Sequence, residues 1–536
     1  MNQVADAPRS TGEGLVLARG AFFSTLAFLA SNLRGIFTFL VARLLGSAAL
    51  GTFGLAWAAT DLVSKIATWG LDTSAVAAVA ERDAAGDAAG GRRVMRAVVA
   101  IALGLGVLVA AAGIAGAWTI GPALGVRREL LAATSVLLLA LPGISLYRVS
   151  NALSRGKGAM HHDIYSRGCT ESVATTAALL LAMAAGARAL APEIAVIAGT
   201  LASGLVALHL ARPLFAQAPP ASPAAEHPGV LPPPVLAAGR QHPDAAGEVG
   251  VLVRRSAPIA LYGLINIGIM QLDVIMLGLH VGRVPGVTLE TLGIYAAACA
   301  IAGGLRKVNQ AFTPIFLPVV ARQMARGDVR GAEASYGYLA RWMLAILLPG
   351  IAVLALSGGA IMSVYGPAFA RGSLWLAILG AACGLNAFVG LGELILVVSR
   401  PALNLTNSCV ALVAAAGLNL LLIPAFGPLG AAMGMLVPYA IQGILRGVEM
   451  SWLLGWRWPW RALAKPWAAA LIALPLAVAV RFAGAGLAGQ LAAGALYLVG
   501  YAVAWRVIGV DASDRDVLDR LFRRVRPAPA AIATSS

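Results

Sequence analysis

Long apolar blocks recur from one end of the chain to the other, each about as long as the ~20 residues a helix needs to cross hydrocarbon. They lie at about 17–45, 50–71, 94–120, 130–151, 165–187 and 192–211, then 256–280, 291–316, 336–357, 373–398, 402–423 and 429–453, with two more at 462–481 and 486–508. Strands of a membrane barrel would instead alternate polar and apolar residues over ~10 positions, and that pattern is missing from these blocks. The expected fold is therefore all-α, a polytopic membrane protein of about 14 transmembrane helices. Composition agrees: 59% of the 536 residues are hydrophobic and 12% are charged, about half the charged share of a soluble domain. The first block is too long for the apolar core of a signal peptide and is expected to remain a membrane helix.

The net charge of +16 points to nucleic acid only if its placement is ignored. Basic residues fall mainly in the gaps between blocks, as topology and anionic headgroups require. With the N-terminus set in the cytoplasm, the outside loops hold only Arg127, Arg128, Arg188, Arg283, Arg371 and Arg481. The inside loops hold many more, among them Arg92, Arg93, Arg96, Arg155, Lys157, Arg322, Arg326, Arg330 and Lys465. Trp452, Trp456, Trp458, Trp460 and Trp467 cluster at one inside boundary, where amphipathic rings settle at headgroup level. Both termini are thus expected in the cytoplasm of a bacterial inner-membrane protein, with membrane lipids as neighbours and no nucleic-acid partner.

One Pro- and Ala-rich stretch, 213–255, lacks any apolar period and reads as a cytoplasmic linker. It separates an N-terminal lobe, 1–212, from a C-terminal lobe, 256–453; residues 454–508 add two further helices and 509–536 a cytoplasmic tail. The halves repeat. At a constant offset of 242, residues 50–66 align with 292–308, so that Leu50 meets Leu292, Gly51 meets Gly293, Phe53 meets Tyr295 and Lys65 meets Lys307. Each segment runs on to a Gly-Asp pair, Gly86-Asp87 and Gly327-Asp328. Six helices per half keep the orientation the same, giving two parallel six-helix lobes, an arrangement that suits alternating access to a site between them.

Charges within the apolar blocks cost about 2.5–3.5 kcal/mol each on insertion scales, and they face a cavity or a partner. Arg34, Lys65, Arg306 and Lys307 are candidates for a cationic cavity that holds an anion such as a diphosphate, arginine by bidentate hydrogen bonding and lysine as a point charge. Asp61, Asn266, Asp273, Gln310, Asn386 and Glu393 are candidates for its polar lining or for ion coupling. The alternative is structural. Asp61 and Lys65 are i,i+4 neighbours that can neutralise each other, Arg306 and Lys307 can snorkel to the interface, and Asp273 can serve a helix–helix hydrogen bond.

Soluble-enzyme motifs are lacking. There is no Walker A sequence and no HExxH, and Cys169, Cys299, Cys383 and Cys409 have no metal-ligand spacing. The adjacent His161 and His162 do not share a helix face. No catalytic residue, metal or cofactor is expected.

The stretch from Val41 to Asp87 resembles the opening of the polysaccharide-transport, Wzx-like oligosaccharide flippase branch of the MOP exporter superfamily, in its Arg43, Gly46, Gly51, Gly70, Leu71, Asp72 and Thr73. The second half is similar to that family at Pro258, Asp273, Gly293-Ile294-Tyr295, Pro318 and Gly327-Asp328, and at Pro349, Pro424, Gly427, Gly430 and Ala431. The likeness covers about residues 15–450; the last two helices occur in only some members, and the Pro-rich linker departs from the pattern. The resemblance implies two six-helix lobes around a cavity and an undecaprenyl-diphosphate-linked oligosaccharide as substrate, with a polysaccharide polymerase and export machinery as possible partners. Two other readings share the superfamily: a lipid II flippase of peptidoglycan synthesis, and a MATE-type drug or cation antiporter, whose cationic substrates favour an anionic cavity. A membrane polymerase or ligase would be expected to carry a large outside loop, which this sequence lacks.

Overall fold

The computed structural model describes residues 11–216, 245–484 and 486–509, with the side chains of the first helix described from Gly35 onward. Among the described residues, sixteen α-helices and short 3-10 and π segments make up the regular structure, and no strand occurs. Eleven helices among them are long and apolar enough to cross a membrane. In hydrocarbon the backbone must satisfy its own hydrogen bonds, and helices do so within one segment.

Taken by the division expected from the sequence, the first lobe holds α1 (Thr11–Thr68), α2 (Leu71–Ala84), α3 (Ala88–Ile120), α4 (Arg128–Leu138), α5 (Leu141–Gly156), α6 (Ser172–Ala184) and α7 (Ala191–Ala216). The second comprises α8 (Ala245–Leu279), α9 (Leu289–Ala325), α10 (Val329–Leu356), the short α11 (Gly358–Ser363), α12 (Ser373–Ser399), α13 (Pro401–Phe426) and α14 (Pro428–Leu454). The appended pair, α15 (Trp460–Ala483) and α16 (Gly486–Ala504), packs together and against α10. Gln490 of α16 ties that pair to the second lobe, its Oε1 accepting from Ala360 N and its carbonyl from Ser357 Oγ, both at 2.8 Å. Of the expected linker, α7 and α8 occupy the two ends, and 217–244 lies outside the described residues, as does the tail beyond Gly509.

Local chemistry explains how the elements are joined. The first two expected spans are one element, α1, whose halves meet at Gly46 (φ 86, ψ 179); a residue without Cβ takes that conformation at no steric cost, so a single glycine stands where a short loop was expected. The span expected at 130–151 is broken between α4 and α5 just before Pro142, and the one expected at 165–187 begins as a π segment, Ile164–Glu171. The repeated Gly-Asp pairs start helices. Asp87 Oδ1 accepts from Gly90 N at 2.7 Å to cap α3, and Asp328 Oδ1 accepts from Gly331 N at 2.8 Å to cap α10. Such caps satisfy one of the free N–H groups of the first turn. Gly86 and Gly327 before them both have positive φ, 69° and 73°. The Gly90 N–H and the Arg82 guanidinium hold the Asp87 carboxyl below its ordinary pKa. This cap therefore contributes above the usual carboxylate range and is lost as pH falls through the depressed value.

The lobes meet where the sequence repeat aligns them. A Cβ on Gly51 would lie 2.8 Å from Gly293 N and against the carbonyl of Leu289; a Cβ on Gly293 would lie 2.8 Å from Gly51 N and against the carbonyl of Ser47. Positions 47 and 289 are themselves related by the offset of 242, so the contact is near two-fold symmetric. Small residues allow this backbone approach, which is what holds helices together where no water drives them to associate. Gly54, one turn on, would meet Ala296 Cβ at 2.8 Å. Replacing Gly51 with Ala is expected to destabilise the detergent-solubilised protein by about 1–3 kcal/mol through overpacking. Gly417→Ala in α13, where an added Cβ meets nothing within 4 Å, should be neutral or stabilising by up to ~1 kcal/mol. Thermal unfolding followed by tryptophan fluorescence compares the two, and equal melting temperatures would count against the close contact.

Candidate functional site

Beyond Gly51, α1 carries polar side chains toward the second lobe. Asp61 and Lys65 lie one turn apart, yet each is held by another partner. Asp61 Oδ1 accepts from Arg148 Nη2 of α5 at 3.1 Å, and its Oδ2 accepts from Gln271 Nε2 of α8, in the other lobe, at 2.9 Å. Arg148 Nη1 also donates to Ser64 Oγ at 2.9 Å. Lys65 Nζ pairs with Asp72 of α2 at 3.6 Å, and its stem lies against Gly263 of α8. Two cations and two carboxylates thus form one balanced cluster on the seam between the lobes. The side chains of Asp61 and Arg148 are only 12% and 15% exposed. Arg167, on the π segment, extends the positive character: its guanidinium lies 5.9 Å from the Tyr147 ring and within electrostatic reach of Arg148.

A second cluster joins four helices of the other lobe. The Tyr262 hydroxyl of α8 donates to Glu393 Oε1 of α12, whose Oε2 lies 3.1 Å from Arg446 Nη2 of α14. Arg446 also donates to Asn404 Oδ1 of α13 at 3.1 Å, and Asn404 Nδ2 donates back to the Tyr262 hydroxyl at 3.0 Å. Asn266 Nδ2 donates to the Tyr262 carbonyl one turn away at 3.3 Å. Nearby, Asn407 Nδ2 donates to Glu449 Oε2 at 2.6 Å. Arg446 is 2% exposed, so removing Glu393 would leave a buried charge without its counter-ion.

Asp273 belongs to a third, enclosed group. Its Oδ2 accepts from the Tyr295 hydroxyl of α9 at 2.6 Å, while Oδ1 is buried without a hydrogen-bond partner. Arg306, nearly three turns further along α9, lies within electrostatic reach of Asp273, Cys299, Cys383 and Tyr439. Its neighbour Lys307 is half-buried, Gln310 is exposed and Asn386 is half-buried. The side chain of Arg34 lies outside the described residues. Among the described residues, no group of three or more His, Cys, Asp and Glu side chains is arranged to hold a metal ion.

The structure therefore divides the ten sequence candidates. Asp61 and Lys65 share the seam cluster, Asn266 and Glu393 share the Tyr262 cluster, and Asp273 and Arg306 share the enclosed one. Arg148, Gln271, Tyr262 and Tyr295 are the partners that sequence reasoning passed over. Arg148 was open to the test that found Lys65, since it lies inside an apolar block; the other three are neutral, and only the fold shows what they meet. Arg148→Met, which strands the Asp61 carboxylate, is expected to cost about 3–5 kcal/mol of stability. The double variant Asp61→Asn, Arg148→Met should recover most of the loss. If the single variant melts no lower than the double in detergent, the pair carries no such energy.

This architecture recurs in known transporters. A multidrug-resistance MATE family transporter of the MOP superfamily, in an inward-facing conformation, superposes with a TM-score of 0.63 at 15% identity, over 79% of this chain and 94% of its own. The lipid II flippase MurJ, inward closed, superposes with a TM-score of 0.61 at 11% identity, over 93% of this chain and 100% of its own. A MOP superfamily transporter from Pyrococcus furiosus gives a TM-score of 0.51 at 14% identity, over 81% and 94%. These likenesses establish the fold, that of a multi-pass membrane protein. Comparison with curated protein sequences finds no match. The family profile described as polysaccharide biosynthesis protein matches residues 17–324, more than half of the 536 residues, and the chain belongs to that family.

Proposed function

We propose that this protein is a flippase which moves undecaprenyl-diphosphate-linked oligosaccharide repeat units from the cytoplasmic to the periplasmic leaflet of a bacterial inner membrane, with both termini in the cytoplasm, for exopolysaccharide, O-antigen or capsule synthesis. The observation that carries the reading is the seam cluster, in which Asp61 bonds Gln271 and Lys65 lies against Gly263 of α8 while Arg148 pairs with Asp61 from behind, in a chain of the polysaccharide biosynthesis family. A sugar hydroxyl taken into hydrocarbon without a partner costs roughly 2–7 kcal/mol, so a repeat unit needs a polar path. Its lipid tail does not, and can stay in the bilayer.

The seam cations are already neutralised by Asp61 and Asp72. A diphosphate carries more charge and more acceptor oxygens than either carboxylate, and guanidinium binds phosphate oxygens in bidentate fashion. We assign the site an exchange: the diphosphate displaces the carboxylates from Lys65 and Arg148, with Arg34, Arg306 and Lys307 contributing further positive potential. Asn266, Gln310 and Asn386 supply neutral hydrogen-bonding groups along the path. Asp61, Asp273 and Glu393 are the acids available for ion coupling.

A lipid II flippase is the second reading, favoured by the match that spans 93% of this chain. A MATE-type antiporter of cationic drugs is the third reading, with a fold match as good; there the cation would take the place of the arginines that Asp61 and Glu393 hold. Deleting the gene separates the three. Loss of surface polymer with lipid-linked repeat units held on the cytoplasmic side supports the oligosaccharide flippase; accumulation of lipid II, or a new sensitivity to cationic drugs with polymer intact, supports one of the others. In the same strain, Lys65→Ala, Arg34→Ala and Lys307→Ala, each at wild-type membrane level, are expected to lower surface polymer roughly tenfold, the effect of losing about 1.4 kcal/mol. Full rescue by all three would remove the cationic site and leave the transport reading standing.

A further inference from the structure

Glu193, in the first turn of α7, is 1% exposed. Its Oε2 is buried without a hydrogen-bond partner, and among the described residues no charged side chain comes within electrostatic reach of it. The other acids within the lobes are each met by another residue. Asp61 and Glu393 hold Arg148 and Arg446, Asp273 holds the Tyr295 hydroxyl, and Glu171 lies within reach of Arg167. The helices packed against α7 bring no counter-ion to the level of Glu193. Arg188 on the preceding 3-10 turn, Arg128 and the Arg127–Glu129 pair at the start of α4, and Arg43 of α1 are all exposed. Tyr147 and Arg148 of α5, with Arg167 and Glu171 of the π segment, lie deeper, at or past the level where Gly143 and Gly199 bring α5, α6 and α7 together. No titratable residue occurs in 97–120 of α3 or in α6. An ionised carboxylate in such a place is costly, and a buried acid gives up the charge by taking a proton.

What encloses Glu193 is tied to the other lobe. The short helix α4 packs against both α1 and α7. Its Leu130, Ala133 and Leu137 share one apolar core with Ala191, Ala195 and Val196, which flank Glu193. The turn that leads into α4 is closed by Val126 N donating to the Gly121 carbonyl at 3.0 Å. At its tip the Leu124 carbonyl accepts from Arg283, which follows α8 in the second lobe. The lobes therefore cannot part at this end without releasing the turn from which α4 starts. We infer, on the reading of the protein as a two-lobed transporter in which α7 begins on the outer side, that Glu193 is a proton-binding site: its carboxyl takes one proton from the outer solution as the outer end closes and returns it as that end opens. Closed, the acid is neutral beneath α4; open, it meets water and ionises. The closed form then holds more protons than the open one, so closure is favoured as pH falls and opening as pH rises. The proton comes from and returns to the same side, and no net proton transfer across the membrane is required.

Distances across the outer end test the site without any substrate. In a background with Cys169, Cys299, Cys383 and Cys409 replaced by alanine, spin labels on Ala123→Cys and Glu290→Cys, both exposed positions, report the separation of the lobes in liposomes. Between about pH 5 and pH 9, the range over which free and buried glutamates titrate, the ratio of short to long distances is expected to fall as pH rises, by up to about tenfold per pH unit, the limit for one proton. Glu193→Gln, neutral at every pH and nearly the same shape, should hold the ratio at the acid value of the parent throughout. Glu193→Asp, which can still ionise, should restore the dependence on pH. A parent protein whose ratio does not change with pH would overturn the site, and so would a glutamine variant that follows pH as the parent does. The transport reading fails separately: if the gene restores no surface polymer to the deletion strain, that reading is lost, and the distances still decide whether Glu193 binds the proton.

Discussion

In hydrocarbon a peptide group has no water to bond, and neither has a charged side chain. A buried polar atom left unmet from within the protein is therefore costly, and that cost shapes the molecule at each scale. It makes the chain helical. It places glycines where helices must approach closely enough for backbone contact, as at Gly51 and Gly293. It also gathers the ionic side chains into groups rather than scattering them along their helices. Arg446 meets Glu393 and the Val389 carbonyl of α12 and Asn404 of α13, and Arg148 meets Asp61 and Ser64. The polar clusters at the seam and within the second lobe are the same economy of partners.

The fold was largely legible because its main signal, apolar block length, is local. Boundaries were less so, and for identifiable reasons. Gly46 joins two spans through one non-helical residue, which hydropathy does not register. The helix α2, low in hydrophobicity, lay hidden in what reads as a basic loop. The Gly-Asp pairs, visible as a repeat, are helix caps, so their recurrence reflects backbone hydrogen bonding at two equivalent helix starts.

The candidate site was legible as a set of residues and not as a set of pairs. Spacing joins Asp61 to Lys65, one turn on, but the fold gives Asp61 an arginine 87 positions away in sequence and gives Lys65 the carboxylate of Asp72 beyond the helix break. Pairings of this kind depend on which helix faces meet, and no local pattern encodes them. Neutral partners are harder still: Gln271, Tyr262 and Tyr295 carry no charge to mark them, yet they decide how Asp61, Glu393 and Asp273 are held.

The contact between Gly51 and Gly293 has the form of an isologous dimer interface, in which residue i touches j and j touches i: Gly51 faces the Leu289 carbonyl as Gly293 faces that of Ser47. Here both partners lie in one chain. The dyad does not extend along the whole pair. At the offset of 242, Trp69 and Gly70 correspond to Ala311 and Phe312, where α9 runs on unbroken to Ala325. The two lobes are thus alike at one end of their contact and distinct at the other, so a substitution at Gly51 and its counterpart at Gly293 should be felt alike, whereas the counterpart of Trp69 lies inside an unbroken helix.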